Sequence, residues 1–303
     1  MSSLPSLFFD NLLPIILIAA VGFILQRTLG IDPRGFSRVI FYSFTPAFVF
    51  SILVSTDIET NEMLRMAGLS IVLSIILGTL SFVISRILQL EPRSASAFIL
   101  TVTFINAGNY GLSLNAFALG DVGLLWASIF FITSAMLLNS VGVYVATVGH
   151  ASPKKALIGL LKVPSVYAIP LALLVRVNDV DLPLAIWRSI DLIGSAAVPT
   201  MLILLGMQIA RAGLPKRKDL LIASVGLRML VSPLIAWFLV PILGLSGVGR
   251  QAGILQAAMP TAVLSTVIAT EYDVEPEFVT GVVLVTTLIS PLTLTPLLAL
   301  LGI

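Results

Sequence analysis

Long apolar segments alternate with short polar connections along the whole chain. Each segment reaches the roughly 20 residues that an α-helix needs to cross a bilayer. The pattern predicts ten membrane-spanning helices, spans 1 to 10, at residues 7–28, 35–55, 63–88, 94–119, 122–148, 155–176, 183–210, 218–243, 249–270 and 276–301. Because nearly all charged residues lie in the connections, the chain is predicted to be an all-α integral membrane protein.

Spans 4 and 9 differ from the others because polar and helix-breaking residues interrupt their centres. Span 4 contains the run Asn106-Ala-Gly-Asn-Tyr-Gly111, and span 9 contains Met259-Pro-Thr261. Irregular backbone at membrane depth is tolerated only where protein buries it or where it lines a water-filled cavity. Interrupted helices at matching positions of two halves are typical of the midplane binding site of a secondary transporter.

Landmarks in the first half of the chain recur in the second half. At offsets between 152 and 156 residues, the pairs are Pro14 and Pro170, Pro46 and Pro199, Asn106 and Pro260, and Asp121 and Asp273. With five spans in each half, the halves face opposite ways and form an inverted repeat. We predict the first repeat at residues 1–150 and the second at residues 151–303, joined by the loop at residues 149–155.

The distribution of Lys and Arg predicts the orientation, because cytoplasmic loops are enriched in these residues. With the N-terminus outside, the inner ends of the spans hold twelve basic residues and the outer ends hold four. The inner set is Arg27, Arg34, Arg38, Arg86, Arg93, Lys154, Lys155, Lys162, Arg211, Lys216, Arg217 and Lys218, and the outer set is Arg65, Arg176, Arg188 and Arg250. Both termini are therefore predicted to lie outside.

The interruptions also predict which residues bind a ligand. The half-helix that follows each interruption points its N–H groups and positive dipole end at the gap, which suits a carboxylate. The predicted substrate contacts are Asn106, Asn109, Tyr110, Gln256, Thr261 and Ser265. The predicted unwound crossover includes Ala107, Gly108, Gly111, Met259 and Pro260, and the glycines permit unusual backbone angles and close approach. The alternative is that these Asn and Gly residues only pack helix against helix.

Two ionisable side chains lie inside predicted spans, where each is a functional hypothesis. Arg228, about ten residues into span 8, either binds an anionic substrate or pairs with backbone carbonyls, including those at the ends of the broken helices. Asp191, about two turns into span 7, either carries a proton or pairs with a cation, or it is a solvated group near the outer entrance.

Composition and missing motifs exclude several classes of function. Charged residues are 11% of the 303, against about 25% in soluble domains. The absence of cysteine excludes disulfides and thiolate metal sites, and we predict no metal or other cofactor. There is no HExxH, no GxSxG with a partner histidine and no Walker loop, and the single His150 lies in the loop between the halves, so we predict no enzyme. No basic run has the aromatic neighbours that nucleic-acid binding needs.

Four motifs resemble the auxin efflux carrier family of transporters. They are the runs at residues 106–114, 198–209, 257–262 and 269–276. The resemblance implies a fold like that of bile acid–sodium symporters, with ten helices in a five-plus-five inverted repeat and broken, crossing helices 4 and 9. It also implies a scaffold (spans 1, 2, 6 and 7), a mobile core (spans 3–5 and 8–10) and a homodimer. Asn106 and Pro260 are then expected at the crossover, with Asn109 and Tyr110 beside the substrate.

The working hypothesis is a secondary transporter of small organic anions, either auxin-like or dicarboxylate-type, that works by elevator-type alternating access. We expect it in the plasma (inner) membrane of a prokaryote. One alternative is a sodium-coupled symporter of larger amphipathic anions, whose site should add carboxylates near the crossing. Another is a membrane receptor that binds the ligand without moving it. Coupling to H+ or Na+ stays open.

Overall fold

The structure is a computed structural model, and it describes residues 3–56, 58–147, 163–213, 215 and 217–303. The predicted join at residues 149–155 lies outside the described residues, and so do His150, Lys154, Lys155, Lys162 and Lys216. The end of predicted span 5 and the start of predicted span 6 lie outside them as well. The boundary predicted between residues 150 and 151 therefore stays a prediction.

The described part of the first half forms helices α1 to α6. Helices α1, α2, α3 and α4 are Leu4–Leu29, Pro33–Val54, Thr60–Ile87 and Pro92–Thr103. The next helical stretch, Ala107–Ala146, is divided by Gly120 into α5 (residues 107–119) and α6 (residues 121–146). Gly120 has a φ of 65°, in the left-handed region that glycine adopts at low cost, so the chain turns there.

The described part of the second half forms helices α7 to α12. They are Ser165–Val177, Leu184–Ile209, Lys218–Ile242, Gly247–Ala257, Leu264–Glu271 and Pro276–Leu300. Predicted span 4 corresponds to α4 followed by α5, and predicted span 9 corresponds to α10 followed by α11. Each of the other predicted spans corresponds to one helix, so the order of elements is consistent with ten spans.

The all-α integral membrane fold is confirmed. Among the described residues, α1, α2, α3, the stretch containing α5 and α6, α8, α9 and α12 are each long and apolar enough to cross a membrane. Large apolar side chains such as Leu17, Ile75, Leu171 and Leu292 are exposed on the outer faces of these helices. Such faces suit contact with lipid rather than water.

Both predicted interruptions are breaks in the helix, but most of the run predicted to unwind in span 4 is helical. Residues 104–106 form the break, so Asn106 lies in it, whereas residues 107–111, which we also expected to unwind, belong to the π-helical turn Ala107–Leu112. Phe104 and Ile105 are aromatic and β-branched residues, which fit an extended chain better than glycine does. In span 9 the break covers residues 258–263 and includes the predicted Met259–Thr261.

Two groups of helices can be followed through their contacts, and they touch each other where α8 packs against α5. In one group α1 packs against α8, and α2 packs against α7 and α8. In the other, α3 packs against α4 and α6, α10 packs against α6 and α9, and α12 packs against α4 and α11. We call these groups the scaffold and the core, after the division that the family resemblance implies. Movement of one group against the other stays a prediction.

Two glycines let α1 and α8 approach closely inside the scaffold. A Cβ atom built on Gly206 lies 1.7 Å from the carbonyl oxygen of Ala19, and one built on Gly22 lies 1.9 Å from the carbonyl oxygen of Ile203. Small residues at helix interfaces allow such backbone contact in membranes, where packing drives helix association. Any side chain at these two positions has to push the helices apart.

We therefore expect Gly206→Ala to destabilise the scaffold, because the added methyl group collides with backbone that cannot move alone. Overpacking of this kind costs about 1–3 kcal/mol. The measurement is the thermal unfolding midpoint of the detergent-solubilised protein. Gly68→Ala on α3 is the matched control, because a Cβ there meets nothing within 4 Å. An equal midpoint for the two variants contradicts the proposed contact.

Candidate functional site

The two broken helices cross where their extended segments pair with each other. Ile105 and Thr261 form an antiparallel bridge. Asn106 N–H donates to the Pro260 carbonyl at 2.8 Å, and Ala262 N–H donates to the Phe104 carbonyl at 2.9 Å. This pairing satisfies backbone groups that the helices no longer satisfy, which the membrane interior requires. The predicted crossing of spans 4 and 9 is thus present in the structure.

Side chains of the protein cap the C-terminal ends of both half-helices, α4 and α10. The Thr261 hydroxyl donates to the Thr101 carbonyl at 2.8 Å in the last turn of α4. Arg228 Nη1 donates to the next carbonyl, that of Val102, at 2.9 Å. Arg228 Nη2 donates to the last carbonyl of α10, that of Ala257, at 2.6 Å. The last carbonyls of a helix have no intrahelical partner, so these contacts complete the two helix ends.

Arg228 is completely buried in a π-helical turn of α9 and bonds to backbone carbonyls. Its Nη2 also contacts the hydroxyl of Ser232, which itself donates to the Ala257 carbonyl at 2.7 Å. The sequence left open whether this guanidinium binds substrate or carbonyls. The structure shows it on the carbonyl ends of the broken helices, and it does not line either of the two cavities described next.

The N-terminal ends of the other half-helices, α5 and α11, face a small cavity of about 50 Å³, which we call the crossover cavity. It is lined by Ile105, Asn106, Ala107, Gly108, Asn109, Phe131, Ser134, Ala135, Leu138, Ala262, Val263 and Leu264. The first intrahelical bond of α5 runs from Gly111 N–H to the Asn106 carbonyl at 3.0 Å. The N–H groups before Gly111 precede this bond, so the end of α5 offers donors without an intrahelical acceptor.

Asn106 lines this cavity and has an unused hydrogen-bond donor. Its side chain is 5% exposed, and its Nδ2 atom has no partner among the described residues. A buried donor without an acceptor costs about 1–3 kcal/mol, so such a group indicates a missing partner. Asn109, one turn of helix later, is half-buried and lines the same cavity.

A second cavity, of about 70 Å³, extends from the crossover cavity to the boundary between scaffold and core. We call it the boundary cavity, and it shares Asn109, Phe131, Ala135, Val263 and Leu264 with the first. Its scaffold wall includes Ile40, Phe41, Thr45, Val49, Met201, Leu204 and Gln208. Among the described residues, those that line the two cavities include no charged side chain. The pair therefore combines a donor-rich end with a largely apolar wall.

The remaining predicted contacts direct their polar atoms into the protein. Gln256 is fully buried, and its Nε2 donates to the Ala107 carbonyl at 3.2 Å and to the Ala127 carbonyl at 3.0 Å. The Tyr110 hydroxyl lies 3.1 Å from Ser290 Oγ, and Tyr110 is 2% exposed. Ser265 is buried, and its hydroxyl has no partner among the described residues.

Asp191 and the two glycines of α5 also have clear positions. Asp191 is exposed on α8 and lines neither cavity, and its role stays a prediction. Gly108 and Gly111 do not adopt the left-handed region, so the predicted use of unusual backbone angles was wrong. They serve close approach instead, because a Cβ on Gly108 lies 2.7 Å from the Phe131 ring and one on Gly111 lies 2.2 Å from Gln256 Oε1.

Comparison with known proteins gives the family of this chain. A profile of the family described as membrane transport protein matches residues 7–151 and 146–298. The chain belongs to the membrane transport protein family. The resemblance to the auxin efflux carrier family is thereby confirmed. The family is one of transporters and not of enzymes.

Two relatives of this membrane transport protein match along nearly their whole length. A protein described as an uncharacterized transporter of Methanothermobacter thermautotrophicus is 24% identical over 288 residues, which cover 93% of this chain and 94% of the relative. Another uncharacterized transporter, of Methanocaldococcus jannaschii, is 22% identical over 300 residues, with the same coverage of both chains.

Sequence reasoning did not identify the apolar wall of the site in this membrane transport protein. Phe131 on α6 lines both cavities, and Met201 and Leu204 on α8 line the boundary cavity. In the sequence these residues look like the other apolar residues of their spans. The available signal was the family-like run at residues 198–209, which contains both Met201 and Leu204.

Gln256 is expected to stabilise the crossing, because its amide on α10 donates to one carbonyl of α5 and one carbonyl of α6. We predict that Gln256→Ala lowers the free energy of unfolding by about 2–4 kcal/mol, from two lost hydrogen bonds and a new cavity. Thermal unfolding in detergent measures this loss. Gln251→Ala on the same helix is the control, since it removes one partly buried bond to the Leu301 carbonyl. A loss no larger than that of the control contradicts the assignment.

Proposed function

We propose that this membrane transport protein is a secondary carrier of a small organic anion, which it binds at the crossover cavity and moves by elevator-type alternating access. The single observation that carries the proposal is Asn106. Asn106 lines the cavity onto which the N-terminal ends of α5 and α11 open, and its buried Nδ2 donor has no partner among the described residues. A carboxylate supplies the acceptors that these donors lack.

The dipoles of the half-helices support an anion over a cation at this place. Each helix end carries about half an elementary charge, positive at the N-terminus and negative at the C-terminus. The negative ends of α4 and α10 are bound by Arg228, whereas the positive ends of α5 and α11 face the cavity. The cavity therefore lies in a field equivalent to about one positive charge.

This charge balance favours an anion with one negative charge over a dicarboxylate. About one elementary charge from two N-terminal ends balances one carboxylate. A second carboxylate at the boundary cavity has no cation among the lining residues that the structure describes, and it has to give up its water, which costs several kcal/mol. Of the two substrate classes implied by the family resemblance, we therefore propose the singly charged, auxin-like class.

The walls of the boundary cavity support a substrate with an apolar body. Phe41, Val49, Phe131, Met201 and Leu204 line this cavity together with a few hydroxyl and amide groups. A carboxylate at Asn106 directs the rest of the molecule toward these side chains, since the two cavities share part of their lining. Binding sites for small molecules commonly combine an apolar wall with a few convergent polar groups.

The position of the site supports alternating access. The boundary cavity has α2, α7 and α8 of the scaffold on one side and α5, α6 and the start of α11 of the core on the other. Each cavity has room for only a few water molecules, so entry of an organic anion requires the two groups to separate. We propose that the core carries the anion past the scaffold of a homodimer in the plasma membrane, with both termini outside.

Transport by the purified protein in proteoliposomes tests the proposal. We expect counterflow of a labelled aromatic monocarboxylate, and a rate lower by about tenfold or more for a dicarboxylate of similar size, equivalent to 1.4 kcal/mol. A receptor that only binds its ligand produces no counterflow.

Asn106→Ala is expected to lower counterflow by about tenfold or more, because a hydrogen bond to a charged group contributes about 1.5–3 kcal/mol. Pro260→Ala, at the other side of the crossing, is expected to abolish transport.

Asn139→Ala is the matched control for Asn106→Ala. Asn139 is a partly buried asparagine on α6, and its amide bonds to the Ala135 carbonyl at 2.8 Å. It lines neither cavity, so counterflow should stay near the level of the unaltered protein. Wild-type counterflow in Asn106→Ala, with unchanged thermal stability in both variants, removes the crossing from the mechanism.

Gly108 is expected to control the size of the accepted substrate. The methyl group of Gly108→Ala forces the Phe131 ring, 2.7 Å away, into the cavities. We predict weaker inhibition of counterflow by aromatic monocarboxylates and unchanged inhibition by acetate, because overpacking at the wall costs about 1–3 kcal/mol. Gly226→Ala on α9 is the control, since its Cβ meets nothing within 4 Å. Equal loss for acetate and the aromatic acids contradicts this role of Phe131.

A further inference from the structure

The carbonyl ends of the broken helices are already occupied in this protein. In transporters with broken helices, unwound carbonyls and C-terminal half-helix ends are the groups that coordinate a coupling cation. Here the Val102 and Ala257 carbonyls accept hydrogen bonds from Arg228 Nη1 and Nη2, at 2.9 and 2.6 Å. Ser232, a hydroxyl that could also serve as an oxygen ligand, contacts the same guanidinium.

We propose that the guanidinium of Arg228 takes the place of a coupling cation, so that this carrier moves its anion without sodium. The inference rests on the proposed transport of an organic anion and adds to it how the carrier is driven. Two helix C-termini contribute about one negative charge in total, and one guanidinium balances it. Because Arg228 is covalently held and fully buried, this positive charge stays in the core through every step of the cycle.

The surroundings of Arg228 support a cation site that needs no carboxylate. Among the described residues, every buried polar or charged side chain other than Arg228 is neutral. The two Nη atoms of the guanidinium are therefore compensated by carbonyls at the two helix ends and by the Ser232 hydroxyl, while its Nε has no partner among the described residues. A Na+ ion at the same oxygens meets a fixed positive charge within a few ångströms, and like charges that close repel each other strongly inside a protein. Arg228 thus excludes sodium from these ligands as well as replacing it.

A purely structural role of Arg228 leads to different expectations. A side chain that only joins α4, α9 and α10 affects stability, but it has no bearing on whether transport depends on ions. If the Arg228 guanidinium takes the place of the cation, transport by the unaltered protein is expected to be independent of sodium. It also predicts that removal of the guanidinium leaves an empty cation site, which small cations then fill.

The first test replaces sodium by choline on both sides of proteoliposomes that contain the unaltered carrier. Counterflow of a labelled aromatic monocarboxylate is expected to stay within about twofold, far below the tenfold change that 1.4 kcal/mol of coupling produces. A loss of about tenfold or more without sodium overturns the proposal. If no carboxylate shows counterflow at all, the proposed function fails, and the second test still decides the role of Arg228.

The second test uses Arg228→Ala in detergent without any substrate. We expect a lower thermal unfolding midpoint that rises again with millimolar guanidinium or with Na+, while the midpoint of the unaltered protein does not respond. Arg250→Ala is the control, because this arginine of α10 is exposed and stacks on Trp237 at 5.1 Å. A midpoint of Arg228→Ala that responds to neither cation overturns the proposal, as does wild-type counterflow by this variant in choline. If Arg228→Ala does not fold, the ion replacement in the unaltered carrier decides alone.

Discussion

The structure depends on one constraint, namely that every backbone group of a broken helix inside a membrane needs a partner. Two breaks at the same place create four helix ends, and the protein treats them differently. The extended segments pair with each other through Asn106 and Ala262, and the C-terminal ends of α4 and α10 are completed by Thr261 and Arg228. The N-terminal ends face cavities instead. This asymmetry is the reason for proposing that the crossing binds an anion.

The fixed guanidinium and the open helix ends belong to one electrostatic arrangement. A buried charge is costly unless it is paired, and Arg228 is paired with two helix dipoles rather than with a carboxylate. Binding of one carboxylate at the opposite ends balances the two remaining dipoles. On the proposed mechanism the loaded core then carries little net charge inside the membrane, which lowers the barrier to its movement.

The apolar wall of the site is formed by helices that do not take part in the crossing. The boundary cavity receives its apolar walls from α2, α6 and α8, so the side chains proposed to contact the body of a substrate lie apart from those at the helix ends. Relatives with 22% and 24% identity are transporters of the same family and match along nearly their whole length. Separate walls allow substrate preference to change while the crossing stays intact.

The sequence by itself determined the membrane fold, the order of the spans and the existence of two interruptions, because apolar length and the presence of Asn, Gly and Pro are local properties. It also indicated Asn106, whose position next to a break is local. Tertiary structure decided the rest. The break in span 4 lies at residues 104–106, because an extended chain there can pair with residues 260–262, and the glycines after it are needed for contact with Phe131 and Gln256. Arg228 binds carbonyls 126 and 29 residues away in the chain, and no local pattern reports which buried groups meet across such distances.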